Sequence, residues 1–259
     1  MNKAHTHHQP LPGIIEPQWW TGEAATPAER YTIDCAQYKM DAQDLRPGSE
    51  LSVRMNALFQ DVGLVHLINT GFSDLQNMRL AAMLVLQKQI DYRGGANPRA
   101  GLEPNVYEVG APLSAYLHYH HEMAYIDNST KMLAFLCQHA LEEGGQTFVS
   151  DNIKATEDIL ATDFGQKLKE LGLCYHRDLT DRDAFAGREE IGVYNHWQRS
   201  MMTEDPTVAA ATAESRGLEV EWGENRLLKT RFYISAFEYF EPLNRNLLYA
   251  SVADDAMWF

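Results

Sequence analysis

Cysteine is scarce in this sequence, and its scarcity excludes a disulfide framework. Three cysteines occur among 259 residues, at positions 35, 137 and 174. Their number is odd, and their wide spacing matches neither a Cys-x-x-Cys redox motif nor a zinc-binding pattern. Structural disulfides belong to oxidising compartments, so the sequence predicts a cytoplasmic protein.

Basic residues and long apolar runs are also lacking. The 22 lysines and arginines are outnumbered by 36 aspartates and glutamates, which gives a net charge of -14. A phosphate backbone would be repelled, so nucleic acid is not expected as a partner. No apolar run reaches the roughly 18 residues of a membrane span. Residues 1–8 carry no apolar core, so a secretory signal is not predicted either.

The chain does contain enough apolar material for a sizeable core, 45% of its residues. Residues 1–30 are rich in Pro, Gly and Thr and predict an irregular arm, followed by a single domain over 31–259. Caps and helical spacing predict helices over 50–62, after Ser73, after Ser150 or Asp151, in a second segment that ends at Gly172, and over 205–217. Apolar runs predict strands over 64–68, 107–109, 132–137, 147–149, 174–176, 218–222 and 227–234, with a polar loop over 177–192. The pattern is typical of a β-rich α+β domain, a barrel or sandwich with flanking helices.

One stretch, His118-Tyr119-His120-His121-Glu122, combines three histidines with a carboxylate. In an extended strand, side chains two residues apart point the same way, so His120 and Glu122 are predicted to converge. A strand of ordinary surface or core histidines is one interpretation. A cupin metal site is another, but its glutamate is missing from positions 123–125. The third is the two-histidine, one-carboxylate iron site of non-haem oxygenases, which needs a further, distant histidine.

The surroundings of this stretch resemble a known family. The residues that carry the resemblance are Tyr92-x-Gly94-Gly95-x-x-Pro98-Arg99, Tyr107-Glu108, His120-His121-Glu122-Met123-x-Tyr125, Phe135-x-Cys137, Gly144-Gly145-x-Thr147-x-x-x-Asp151 and Trp197-Gln198. From about residue 50 onward, the chain resembles the TauD/TfdA family of Fe(II)- and 2-oxoglutarate-dependent dioxygenases. The similarity is greatest to its clavaminate synthase-like and SyrP-like branch.

The resemblance implies a jelly-roll fold, the double-stranded β-helix. It implies that His120 and Glu122 bind Fe(II) and that the Thr147 hydroxyl binds the distal carboxylate of the co-substrate 2-oxoglutarate. Arg99, His118 and Tyr125 are candidates for the substrate pocket. The reaction implied is hydroxylation or desaturation of a C–H bond with dioxygen. The substrate would be a small molecule, such as an amino acid or a secondary-metabolite intermediate, and a homo-oligomer is possible.

The sequence departs from the family pattern near its end. The family's distal histidine ligand and its 2-oxoglutarate-binding arginine normally follow a Trp-x-x-Gly-Asp strand and lie in a His-Gly-Arg segment. Neither motif occurs here, and His139, His176 and His196 match other family positions. We therefore expect the domain to lack its last strands. The alternative function is that of a catalytically inactive, truncated relative that binds a ligand or a partner.

Overall fold

The computed structural model describes residues 26–86, 90, 101–108, 119–127, 130–140, 142, 147–185 and 196–251. Within these ranges, the helices are α1 (Glu50–Val62), α2 (Leu75–Ala82), α3 (Asn152–Leu160), α4 (Asp163–Leu171), α5 (Trp197–Met201) and α6 (Pro206–Ser215). The strands are β1 (Thr32–Asp34), β2 (His66–Ile68), β3 (Gly101–Glu103), β4 (Val106–Tyr107), β5 (Leu173–Leu179), β6 (Glu219–Trp222), β7 (Leu228–Ile234), β8 (Phe237–Phe240) and β9 (Arg245–Leu248). None of the described helices is long and apolar enough to cross a membrane.

The helix boundaries follow local capping chemistry. The prediction for α1 is confirmed: the Ser49 hydroxyl accepts from the Ser52 N–H at 3.1 Å, and Gly63 ends the helix in the left-handed region at φ 77°. The predicted cap at Ser73 is wrong by one residue, because the carboxylate of Asp74 accepts the bond that begins α2. Asp151 caps α3, as one of the two predicted candidates.

The strands form four small sheets. The largest is antiparallel, with β7 between β5 and β6, and its β6–β7 hairpin is the predicted one. A second antiparallel pair joins β8 to β9, a third joins β3 to β4, and β1 pairs with β2 in parallel. The described part of the chain is therefore mixed α/β, and its sheets do not close into a barrel.

Three predictions about the middle of the chain are wrong. Residues 132–137 and 147–149 are irregular rather than strands, and large apolar side chains there are exposed, at Leu133, Phe135, Phe148 and Val149. An extended segment becomes a strand only when a neighbour takes up its backbone groups, and neither segment is paired within the described ranges. The predicted loop from residue 177 in fact begins as strand, because β7 pairs with β5 as far as Leu179.

One hydrophobic core supports the central stretch of the sequence. Its buried members come from β5, β7, α5, α6, the chain at 123–126 and the residue before β6: Met123, Ile126, Leu179, Trp197, Met201, Ala209, Ala213, Leu218 and Leu228. A second core lies under α1, around Ile33, Leu51 and Met55. A small third core, of Leu168, Ala236 and Ala250, joins α4 to the chain on either side of the β8–β9 hairpin. The central stretch is thus fixed to the largest sheet by its own apolar residues.

The cap of α6 gives a first prediction. Asp205 accepts from the N–H groups of Thr207 and Val208 at 2.7 and 3.3 Å, and Pro206 occupies the first turn. Asp205→Ala leaves these donors without that acceptor and should lower the free energy of unfolding by about 1 kcal/mol. Asp205→Asn keeps a capping oxygen and should stay close to the parent protein. Urea denaturation measures both, and equal losses in the two variants would contradict the capping role.

Candidate functional site

His120 and Glu122 lie side by side. His120 Nε2 is 3.7 Å from Glu122 Oε2, and the two side chains are 34% and 17% exposed. Both groups therefore remain accessible to a small ion while the neighbouring chain is packed. An imidazole and a carboxylate that converge in this way can share one divalent cation.

The backbone that brings them together is a turn rather than the predicted strand. Residues 119–121 are irregular and residues 122–125 form the turn. Met123 has φ of 57°, in the left-handed region that a non-glycine residue enters at a cost of about 1–2 kcal/mol. The Met123 side chain is nonetheless buried, as are Ala124 and Ile126. Core packing therefore holds a strained turn immediately after Glu122.

His121 points away from the pair. Its Nδ1 lies 2.8 Å from the carbonyl oxygen of Ala250, to which it donates, and its ring is 5.2 Å from that of Tyr249. Burial lowers the pKa of His121, and the positive charge of Lys131 lowers it further, whereas the hydrogen bond to Ala250 opposes the shift only in part. The lowered pKa favours the neutral imidazole, and the 2.8 Å contact with a carbonyl oxygen, which can only accept, favours a proton on Nδ1.

Tyr125 lies at the end of the turn, against β5. Its ring meets the ring of Tyr175 edge to face at 6.4 Å, and the guanidinium carbon of Arg177 lies 4.9 Å from its centroid. Arg177 also donates to the Ser200 hydroxyl at 3.4 Å. The turn is thus flanked by an aromatic pair and a cationic side chain.

Of the remaining predicted site residues, Thr147 is the one that lies within the described ranges. Thr147 is exposed in an irregular segment and makes no hydrogen bond to His120 or Glu122. Arg99 and His118 lie outside the described residues. Gly144 and Gly145, the predicted turn before Thr147, also lie outside them.

The donor set of the pair suits a ferrous ion. Nitrogen and oxygen donors bind a divalent cation at about 2.0–2.2 Å, so two neighbouring donors lie about 3 Å apart. The 3.7 Å separation comes within a small side-chain rotation of that value. Within the described ranges, no cluster of three histidine, cysteine, aspartate or glutamate side chains is present. Among the described residues, His120 and Glu122 could therefore supply two of the three protein ligands that such a site takes.

The sequence is also similar to a known protein family. A family model described as "Taurine catabolism dioxygenase TauD, TfdA family" matches residues 31–231. The chain belongs to the TauD/TfdA family. The matched range includes the pair, Tyr125 and Thr147, so the family match covers the residues on which the site depends.

A curated relative is similar to part of the chain. A clavaminate synthase-like protein of Arabidopsis thaliana is 29% identical over 168 residues, which are 63% of this chain and 50% of that protein. The chain thus spans about half the length of the curated relative that it matches. The clavaminate synthase-like name agrees with the branch indicated by the sequence motifs.

Sequence reasoning missed two groups of residues around the site. Residues 249–251 contact the turn although Ala250 is 129 positions from His121. Asp181 is buried beside Gln198, and no local pattern marks it. The Trp197-Gln198 pair, noted in the sequence, contains the amide partner of Asp181 but does not point to Asp181 itself.

Proposed function

We propose that this protein acts as an Fe(II)- and 2-oxoglutarate-dependent oxygenase on a C–H bond of a small molecule. The observation that carries the proposal is the convergence of His120 and Glu122, 3.7 Å apart, within a chain of the TauD/TfdA family. Family membership supports the oxygenase chemistry, and the geometry supports these two side chains as ligands. The family also supports a jelly-roll fold, to which the β5–β7–β6 sheet and the β8–β9 pair would contribute.

The chain's own residues would then have distinct tasks. His120 and Glu122 would hold the iron through Nε2 and a carboxylate oxygen, and Thr147 would donate its hydroxyl hydrogen to the distal carboxylate of 2-oxoglutarate. Bound iron supplies oxidative chemistry, coupled to the decarboxylation of 2-oxoglutarate to succinate. Tyr125, three residues beyond Glu122, would give the substrate an aromatic wall. Arg99 and His118 remain proposed pocket residues.

The charge of the protein bears on the substrate class. With a net charge of -14, the protein repels polyanions, which favours a small neutral, zwitterionic or monoanionic substrate. An amino acid or a secondary-metabolite intermediate satisfies this condition, and hydroxylation or desaturation is the proposed outcome.

Anaerobic spectroscopy tests the proposal. Fe(II) and 2-oxoglutarate added together to the full chain should give a weak visible charge-transfer band, because the keto acid chelates the iron. Admission of dioxygen should then yield succinate. Succinate added in place of 2-oxoglutarate is the matched control and should give no band, since it has no keto group. Absence of both the band and succinate formation would overturn the proposal and favour the non-catalytic, ligand-binding relative.

A further inference from the structure

Two hydroxyl groups hold the peptide groups on both sides of Glu122. The hydroxyl of Tyr249 shares its hydrogen between the carbonyl oxygens of Glu122, at 3.0 Å, and Thr130, at 2.9 Å. The hydroxyl of Ser251 donates to the carbonyl oxygen of His121 at 3.3 Å. The carbonyls of His121 and Glu122 belong to the two peptide planes that meet at the Cα of Glu122. Since only two soft dihedrals join neighbouring planes, fixing both planes fixes the direction in which the Glu122 side chain leaves the backbone.

His121 adds a third connection to the turn. Its ring lies against Tyr249 and its Nδ1 donates to Ala250. The 249–251 segment thus touches three consecutive features of the turn: the His121 ring, the His121 carbonyl and the Glu122 carbonyl.

The 249–251 segment is itself well anchored. Tyr249 N–H donates to the Ala236 carbonyl at 2.9 Å, and Ser251 N–H donates to the Tyr175 hydroxyl at 2.6 Å. The Lys131 ammonium lies 3.6 Å from the centroid of the Tyr249 ring and pairs with Glu238 on β8. All three residues of the segment are buried. Because residues 249–251 are held by these contacts, they can restrain the turn. A mobile segment would move together with the turn and could not restrain it.

The turn needs such a restraint because its backbone is strained. Met123 occupies the left-handed region directly after the peptide whose carbonyl faces Tyr249. Without an outside contact, this peptide could rotate to relieve the strain, and Glu122 would turn away from His120.

We propose that Tyr249 and Ser251, together with His121, position the metal-binding carboxylate of Glu122 by fixing the peptides that flank it. The inference rests on the proposed function for its iron-binding role. Tyr249 and Ser251 are positioning residues, because their hydroxyl groups reach the backbone carbonyls of the turn. Outer partners of this kind typically influence metal affinity without binding the metal.

The test compares Tyr249→Phe with Tyr239→Phe in the full chain. Tyr249→Phe removes the hydroxyl and keeps the ring beside His121 and Lys131. Tyr239→Phe is the matched control, because it removes an exposed hydroxyl that bonds Asn244 at 2.6 Å, on the β8–β9 hairpin and away from the turn. Two measurements are made: amide hydrogen exchange of residues 119–127 without metal, and Fe(II) affinity by anaerobic equilibrium dialysis.

For Tyr249→Phe, we expect amide exchange in the turn to become roughly fivefold faster, because the hydroxyl that links the Glu122 and Thr130 carbonyls is lost. Its Fe(II) dissociation constant should rise about tenfold, as for other outer partners of metal ligands. The control should change neither. Unchanged exchange in Tyr249→Phe would overturn the restraint whether or not iron binds. Faster exchange with unchanged Fe(II) affinity would overturn the positioning role. Failure of the parent protein to bind Fe(II) would instead overturn the proposed function, and the iron-binding role of the restraint with it.

Discussion

Replacing Glu122 with glutamine should weaken Fe(II) binding by more than about 100-fold, beyond the 10- to 100-fold typical of residues that only support a ligand. The substitution keeps the size of the side chain and removes its charge. A neutral amide oxygen is a poor partner for a ferrous ion when only one other described side chain, His120, lies within reach of it. The charge-transfer band with 2-oxoglutarate and the formation of succinate should disappear together.

Two controls separate this effect from a general loss of negative charge or of structure. Glu221→Gln removes a carboxylate of the same size from the exposed face of β6, where it pairs with Arg231 at 2.9 Å. It should leave Fe(II) affinity within about twofold of the parent, since a surface pair contributes little. Thermal denaturation should show Glu122→Gln to be folded. Parent-like iron affinity in Glu122→Gln would mean that iron binds elsewhere on the chain.

The parts of the fold that sequence could predict depend on short-range chemistry. Ser49 and Gly63 bracket α1 because a hydroxyl cap and a left-handed glycine act within one helical turn. The β6–β7 hairpin follows from two alternating segments around Gly223. The convergence of His120 and Glu122 was also predicted, and only two positions separate them, although a turn rather than strand alternation brings them together. In each case, the cause and its effect lie within a few positions of each other.

The failures have a different physical origin. Residues 132–137 have the composition of a buried strand. A strand forms only when another segment hydrogen-bonds to its backbone, and the composition of residues 132–137 does not show whether such a segment is present. The left-handed backbone conformation of Met123 could not be predicted from the sequence, because methionine has no preference for that region. The contacts of Tyr249 with the turn span 127 positions to Glu122. The sequence therefore indicated which side chains meet, but not what holds them in place.

Asp181 is the second such long-range feature, and its loss should strongly destabilise the protein. The carboxylate is 1% exposed, and its Oδ1 accepts from the Gln198 amide at 2.9 Å and the Asp183 N–H at 2.8 Å. Its Oδ2 faces the Arg226 guanidinium, with Nε 2.9 Å away, in an ion pair rather than an aligned hydrogen bond. Asp181 thereby ties the end of β5 to α5 and to the β6–β7 turn.

Asp181→Ala should lower the free energy of unfolding by about 3 kcal/mol, because a buried amide, a backbone N–H and a cation all lose their acceptor. The matched control is Asp178→Ala, three residues earlier and on β5, where the side chain is exposed. It should change stability by less than about 0.5 kcal/mol, as surface substitutions usually do. Urea denaturation at neutral pH measures both, and similar losses in the two variants would contradict a special role for the buried carboxylate.

The contribution of the ionised Asp181 carboxylate to stability should depend on pH. Burial alone would raise the pKa of Asp181, but the hydrogen bonds from Gln198 and Asp183 and the charge of Arg226 outweigh it and lower the pKa below 3.8. A carboxylate with a lowered folded-state pKa stabilises the protein fully above its unfolded value, and this contribution is lost as the pH falls through the folded-state value. The stability gap between the parent and Asp181→Asn should therefore be largest at pH 7 and should shrink below about pH 4. A gap that is equal at pH 7 and pH 3 would show that packing, rather than the ionised carboxylate, accounts for the loss.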